Sequence, residues 1–183
     1  MVEPVRSLLV VWHSRTGASR QLAAAATRGA RDSLRRSAVA EMRRGGTGVA
    51  PVRIDCVHAR AVDAQRMCEA SAYIFVAPEN LAALSGTMKE FFDRTYYGVL
   101  DRVAGRPYAA IIAAGSDGQG AARQLQRIAT GWRLRPVAEP FIVITRAQTR
   151  DEILAPKRVG EPELAHAAEL GAAVAQGLAM GIF

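Results

Sequence analysis

Between a short apolar run and an alanine-rich stretch lies "HSRTGAS", His13 to Ser19. Three hydroxyls, Ser14, Thr16 and Ser19, are interleaved with Arg15, Gly17 and Ala18. A helix that starts at Ala18 leaves its first backbone N–H groups without intrahelical partners, and the positive end of its dipole faces the same turn. Hydroxyl donors, free N–H groups and a glycine that permits a tight turn are the parts of an anion site, and a monoester phosphate fits them without a metal. The same residues also read as a hydroxyl-rich cap that satisfies only its own helix. The turn alone does not choose between the two. Its spacing is neither that of a Walker phosphate loop nor the G-x-G-x-x-G of a dinucleotide turn.

Two other segments place small and polar residues directly after apolar runs: "PENLAALSG", Pro78 to Gly86, and "GSDGQG", Gly115 to Gly120. The elements that must position all three can be read from periodicity. Strands are expected at Ser7 to Trp12, Val52 to Val57, Ala72 to Ala77, Tyr108 to Ala114 and Pro140 to Thr145. Helices are expected from Ala18 to about Arg36, Val62 to Glu69, Thr87 to Val103, Ala121 to Trp132 and Glu163 to Met180. Pro78 is expected to end its strand and open a loop. Ala38 to Gly48 either extends the first helix or leaves it, with "RRGGTG" as the closing loop.

"AYIFVA", Ala72 to Ala77, is unbroken in its hydrophobicity, as a central parallel strand buried on both faces requires. Strands alternating with helices give an α/β domain, a parallel sheet with helices on both faces, and 183 residues suit one such domain. Ligands in such sheets collect beyond the carboxyl ends of the strands, where strand order reverses. All three segments emerge at that edge.

"LLVVWHSRTGASRQLAAAATRGA", "AYIFVAPENLAALSGTMKEFFDRTYY" and "YAAIIAAGSDGQGAARQL" together resemble the cofactor loops of the flavodoxin-like family. The closest branch is that of the small NAD(P)H-dependent FMN reductases and quinone reductases, and the resemblance covers roughly residues 7 to 145. It implies a three-layer flavodoxin-like sandwich around a five-stranded parallel sheet in the order 2-1-3-4-5. It implies FMN phosphate on Ser14, Thr16, Gly17, Ala18 and Ser19, with Arg15 nearby. Pro78, Glu79, Asn80 and Leu81 would border the flavin ring, mostly by backbone, and Ser116, Asp117, Gly118 and Gly120 would close its other side. By the same resemblance NAD(P)H would supply electrons, a quinone or similar small molecule would accept them, and the chain would assemble as a homodimer or higher homo-oligomer. No acid–base side chain is required, and none is assigned as catalytic.

The chain departs from its relatives in the second loop. They commonly carry an aromatic residue and a glycine after the proline, where this chain has Glu79 to Ala82. Leu81, or Tyr96 or Tyr97 from the next helix, would then have to cover the ring. A Glu79 carboxylate beside the ring would disfavour an anionic reduced flavin. Asp117 likewise stands where relatives are often neutral. The alternatives are a flavodoxin-type electron carrier and a flavodoxin-like binding protein that has lost its flavin. Such carriers are generally acidic, whereas this chain has a net charge of +7.

Much of that surplus is arginine, clustered at Arg28, Arg31, Arg35, Arg36, Arg43 and Arg44. It reads as a solvated helix face, and without interleaved aromatics it does not read as a single-strand nucleic-acid surface. Cys56 and Cys68 lack metal-site spacing and are expected to be free and mostly buried, in a reducing compartment. The N-terminus lacks the pattern of a signal peptide, and no apolar run reaches membrane-spanning length, so the expected location is cytoplasmic. His13 reads as a cap or loop residue, Asp93–Arg94 as a structural pair, and Trp12 and Trp132 as packing residues. Phe91, Phe92, Thr95, Tyr96 and Val99 read as the packing side of their helix.

Overall fold

β1 (Arg6–Trp12) lies between β2 (Val52–His58) and β3 (Ala72–Asn80), parallel to both. β3 pairs in parallel with β5 (Pro107–Ala114) on its other side, and with the short antiparallel β4 (Ala83–Leu84) beyond its end. β6 (Arg135–Pro136) and β7 (Phe141–Ile144) share the last position, each pairing with a different stretch of β5. In this computed structural model, which describes residues 5–44 and 51–183, the sheet therefore has seven strands rather than the expected five. Its core order, β2-β1-β3-β5 and then β6 or β7, is the expected 2-1-3-4-5. Pro136 and Pro140 explain the split edge, because neither can donate to a ladder.

Pro78 does not end β3. The strand continues through it to Asn80, with Pro78 in register with Ala113 of β5. The proline is tolerated because β1 stops pairing at Trp12↔Val76, so no ladder needs the missing N–H there, and the Pro78 carbonyl accepts from Ser85 N at 3.1 Å. The expected loop after it is a β-hairpin.

α1 (Ala18–Arg43) and α6 (Glu161–Ala179) cover one face of the sheet, over Leu8, Val10, Ile74, Val76 and Ile111. α2 (Ala64–Glu69), α3 (Gly86–Val99) and α4 (Gln119–Gly131) cover the other, over Leu9, Val11, Tyr73, Phe75 and Ile112. Odd and even residues of one strand thus feed two separate cores, as the strand's alternation demands. α1 runs two turns past its expected end, aided by a bond from Gln176 Nε2 of α6 to Ser37 Oγ at 2.9 Å. The "RRGGTG" turn, from Gly45 onward, lies outside the described residues.

Several side chains differ from expectation. Cys56 is free but exposed, on the outer edge of β2, and Cys68 is half-buried. Tyr96 is exposed, while Phe91, Phe92, Thr95 and Val99 are buried. Asp93 and Arg94 do not pair with each other: Asp93 takes Lys89 at 2.5 Å and Arg94 takes Glu90 at 2.8 Å, one helical turn away in each case. Arg94 also donates to Val62 O and Ala59 O, tying α3 to the turn before α2. Among the described residues no helix is long and apolar enough to cross a membrane.

Candidate functional site

The first loop begins where β1 runs out of partners. His13 N donates to Val76 O at 3.0 Å, the last main-chain bond before the chain leaves the sheet. Ser14 Oγ then accepts from Gly17 N at 3.0 Å and closes the turn. Gly17 is the N-cap of α1 with φ 99, a left-handed conformation that strains any residue with a Cβ. Having no side chain, it cannot cap the helix, and the first turn of α1 carries no acidic residue. The N–H groups of Ala18, Ser19 and Arg20 have no intrahelical acceptor by helix geometry. Ser19 is fully buried, and its Oγ has no hydrogen-bond partner among the described residues. An orphaned buried hydroxyl costs about 1–3 kcal/mol. The turn is therefore self-capped only through Ser14, and its remaining donors await an acceptor.

The second loop is the β3–β4 hairpin. Its register, Glu79↔Leu84 and Asn80↔Ala83, leaves Leu81 and Ala82 as the two turn residues, with φ of 50 and 57. Both are left-handed, as a type I′ turn demands, although such turns prefer Asn-Gly. Holding two Cβ-bearing residues there costs roughly 1–2 kcal/mol each. The hairpin is over-determined by its contacts with α4. Leu84 N donates to Gln124 Oε1 at 2.7 Å. A Cβ on Gly120 would lie 2.1 Å from Ala82 O, so only glycine lets the two backbones approach.

Glu79 joins the second loop to the third. Its Oε2 accepts from Gly118 N at 2.8 Å and its Oε1 from Ala121 N at 3.2 Å. Gly118, the N-cap of α4, has no side chain of its own to do this. The carboxylate that the sequence sets against a reduced flavin is thus committed to the positive end of α4. Asn80, with its amide oriented by its partners, accepts from Arg15 Nη1 at 3.1 Å and so links the second loop to the first.

A fourth segment, polar and without periodicity, completes the wall. α5 (Arg150–Leu154) opens on a capping box in which Thr149 Oγ1 and Glu152 exchange bonds with each other's backbone. These backbone donors hold the Glu152 carboxyl below its ordinary value. The T-x-x-E spacing was the signal that could have revealed this helix. Lys157 Nζ bonds the carbonyls of Glu152, Ile153 and Ala155 at the other end of α5. The chain is then strapped to the first loop. Lys157 N donates to Thr16 O at 2.7 Å, and Gln21 holds Lys157 O through Nε2 at 2.7 Å and Val159 N through Oε1 at 3.2 Å.

These loops enclose a cavity of about 530 Å³ at the carboxyl edge of the sheet. Ser14, Arg15, Thr16, Ala18, Ser19, Pro78, Glu79, Asn80, Leu81 and Ser116 all line it. Gly17, Asp117, Gly118 and Gly120 do not line it; they shape the turns beside it. Asp117 Oδ2, for one, accepts from Gln119 N at 3.3 Å. Ala82 and Gly115, from the expected segments, also line it, and Thr145, Ile153, Leu154 and Lys157 line it without having been anticipated. Tyr96 and Tyr97 do not reach it: they pack edge to face with ring centroids 5.0 Å apart, on the exposed side of α3.

His13 sits beside the first loop but outside the cavity. Its Nδ1 is 2.8 Å from Ser85 Oγ, and its ring lies 5.6 Å from that of His58. Burial lowers its pKa first, with His58, Arg60 and Arg15 adding to the shift. It positions the start of α3 through Ser85 and does not line the cavity.

A family model described as NADPH-dependent FMN reductase matches residues 13–149, which include all three expected loops. Among curated proteins, none matches the sequence. Among solved structures, a flavodoxin from the domain Archaea superposes with a TM-score of 0.69 at 16% identity, covering 94% of this chain and 98% of that one. A WrbA-like flavodoxin from Agrobacterium tumefaciens gives 0.62 at 16% identity, covering 96% and 98%. A flavodiiron core from Synechocystis gives 0.70 at 14% identity, and there the match covers 98% of this chain but only 37% of that one. At these identities the structures establish a flavodoxin-like fold.

Proposed function

The protein belongs to the NADPH-dependent FMN reductase family, whose model spans well over half of its residues, and we propose that it is an FMN-binding oxidoreductase that uses NADPH to reduce a quinone or a similar small acceptor. The observation that carries this reading is the open N-terminus of α1 at the cavity, where Ser19 is a lining residue and its fully buried Oγ has no partner among the described residues. A phosphate there satisfies the orphan hydroxyl and the helix N–H groups together.

The residues present fit FMN. Ser14, Thr16, Ala18 and Ser19 would hold the phosphate, with Arg15 lending charge from its place on Asn80. Pro78 to Leu81 would border one side of the ring and Ser116 the other, with Thr145 and Ala147 in the adjoining wall. When bound, FMN supplies the redox chemistry, accepting a hydride from NADPH and passing two electrons on. The chain's part is to bind, orient and exclude water. Glu79, the one carboxylate among the described residues lining the cavity, gives both oxygens to backbone N–H groups and so holds the third loop in place.

FMN-loaded protein should oxidise NADPH faster when a quinone is added, and should give the reduced quinone in proportion. Loaded protein that leaves NADPH untouched with every acceptor would refute the enzymatic reading.

A further inference from the structure

Three exposed large apolar side chains line one cavity. Leu81 is fully exposed, Ile153 is 52% exposed and Leu154 is 59% exposed. A single exposed leucine needs no explanation, but several around one cavity do. They arrive from opposite helical layers: the Leu81 hairpin rests on α4, and the strap bearing Ile153 and Leu154 is held to α1 through Gln21.

Both mounts are maintained at a cost. Leu81 keeps a left-handed backbone, and such strain persists where ligands are clamped. α5 buries none of its residues, so its capping box and its lysine clasp do not serve a core.

From this we infer that Leu81, Ile153 and Leu154 form an apolar acceptor subsite at the cavity mouth, which takes an uncharged planar ring carrying an aliphatic substituent. The inference rests on the flavin reading of the cavity. α5 lies beyond the family match, which ends at residue 149.

The test is equilibrium dialysis of the FMN-loaded full-length protein, without NADPH, against an uncharged naphthoquinone with an alkyl chain and against the same ring without the chain. Wild type is compared with the Ile153→Ser/Leu154→Ser variant and with Leu81→Ser, and the flavin absorption band is read on the same samples. The double variant should bind the alkylated ring about tenfold more weakly, with a smaller change for the bare ring and the flavin band retained. A retained band with unchanged affinity overturns the subsite and leaves the flavin reading standing. A wild-type protein that holds no flavin removes the reading and the subsite with it. A wild-type dimer that the double variant dissociates assigns these side chains to self-association and also overturns the subsite.

Discussion

Glu79 Oε2 on β3 lies 2.8 Å from the backbone nitrogen of Gly118 at the start of α4, and Glu79 Oε1 accepts from Ala121 N two residues into that helix. One carboxylate thus caps a helix from a neighbouring strand and locks two of the three expected loops into one unit. Hydrogen bonds to a charged group are worth about 1.5–3 kcal/mol. Glu79→Ala should therefore destabilise the protein by about that much in urea unfolding and weaken FMN binding, with Glu79→Gln recovering part of both. An alanine variant as stable as wild type would show that the cap is idle.

Gly17 has room for a side chain, with the nearest atoms to a built Cβ 3.7 and 3.8 Å away, but its φ of 99 disfavours one. Gly17→Asp adds that strain and sets a carboxylate where the phosphate is proposed to bind. FMN affinity should fall by at least a hundredfold while the circular dichroism spectrum is preserved, since α1 keeps its packed face. Retained FMN affinity would move the phosphate elsewhere.

Gln21 uses both ends of its amide on the strap, with Nε2 also reaching Gly17 O at 3.0 Å. Gln21→Ala leaves the strap with the Lys157 N to Thr16 O bond as its remaining backbone link to the first loop. Amide exchange at Val159 should speed up by roughly an order of magnitude or more, the equivalent of losing about 1–2 kcal/mol of protection. Exchange at Val143, in the buried sheet, should not change.

His13 and His58 both have lowered pKa values, caused first by burial; His58, Arg60 and Arg15 add to the shift of His13, and Arg60 to that of His58. Between those values and the ordinary 6.5 the unfolded chain binds more protons than the folded one, so stability rises with pH across that window. Acidification through it from neutral pH should lower the urea midpoint. The His13→Asn/His58→Asn variant should flatten that dependence, and an unaltered slope would place its origin elsewhere.

Much of this was legible in the chain. The unbroken apolar run of β3, the turn at Gly17 and the order of the three loops fix the fold and bring ten of the expected residues to one cavity. What stayed hidden depends on register or on distant partners. The hairpin could not be foreseen because Pro78 is harmless only where β1 has already ended. Glu79 looked like a liability to a flavin because its partner, the start of α4, is thirty-nine residues away. The strap is polar and irregular, so periodicity had nothing to say about it, although the Thr149–Glu152 spacing was in plain view. Tyr96 shares the spacing of a buried face but sits at its margin, which a periodicity argument does not resolve.

The most direct test of the account is the visible spectrum of the purified protein after incubation with FMN and desalting, for wild type and for Ser19→Ala. The wild type should retain a shifted flavin band and the variant a weakened one. Flavin lost on the column by the wild type would contradict it, because the orphaned Ser19 hydroxyl and the open end of α1 would then be holding something other than FMN.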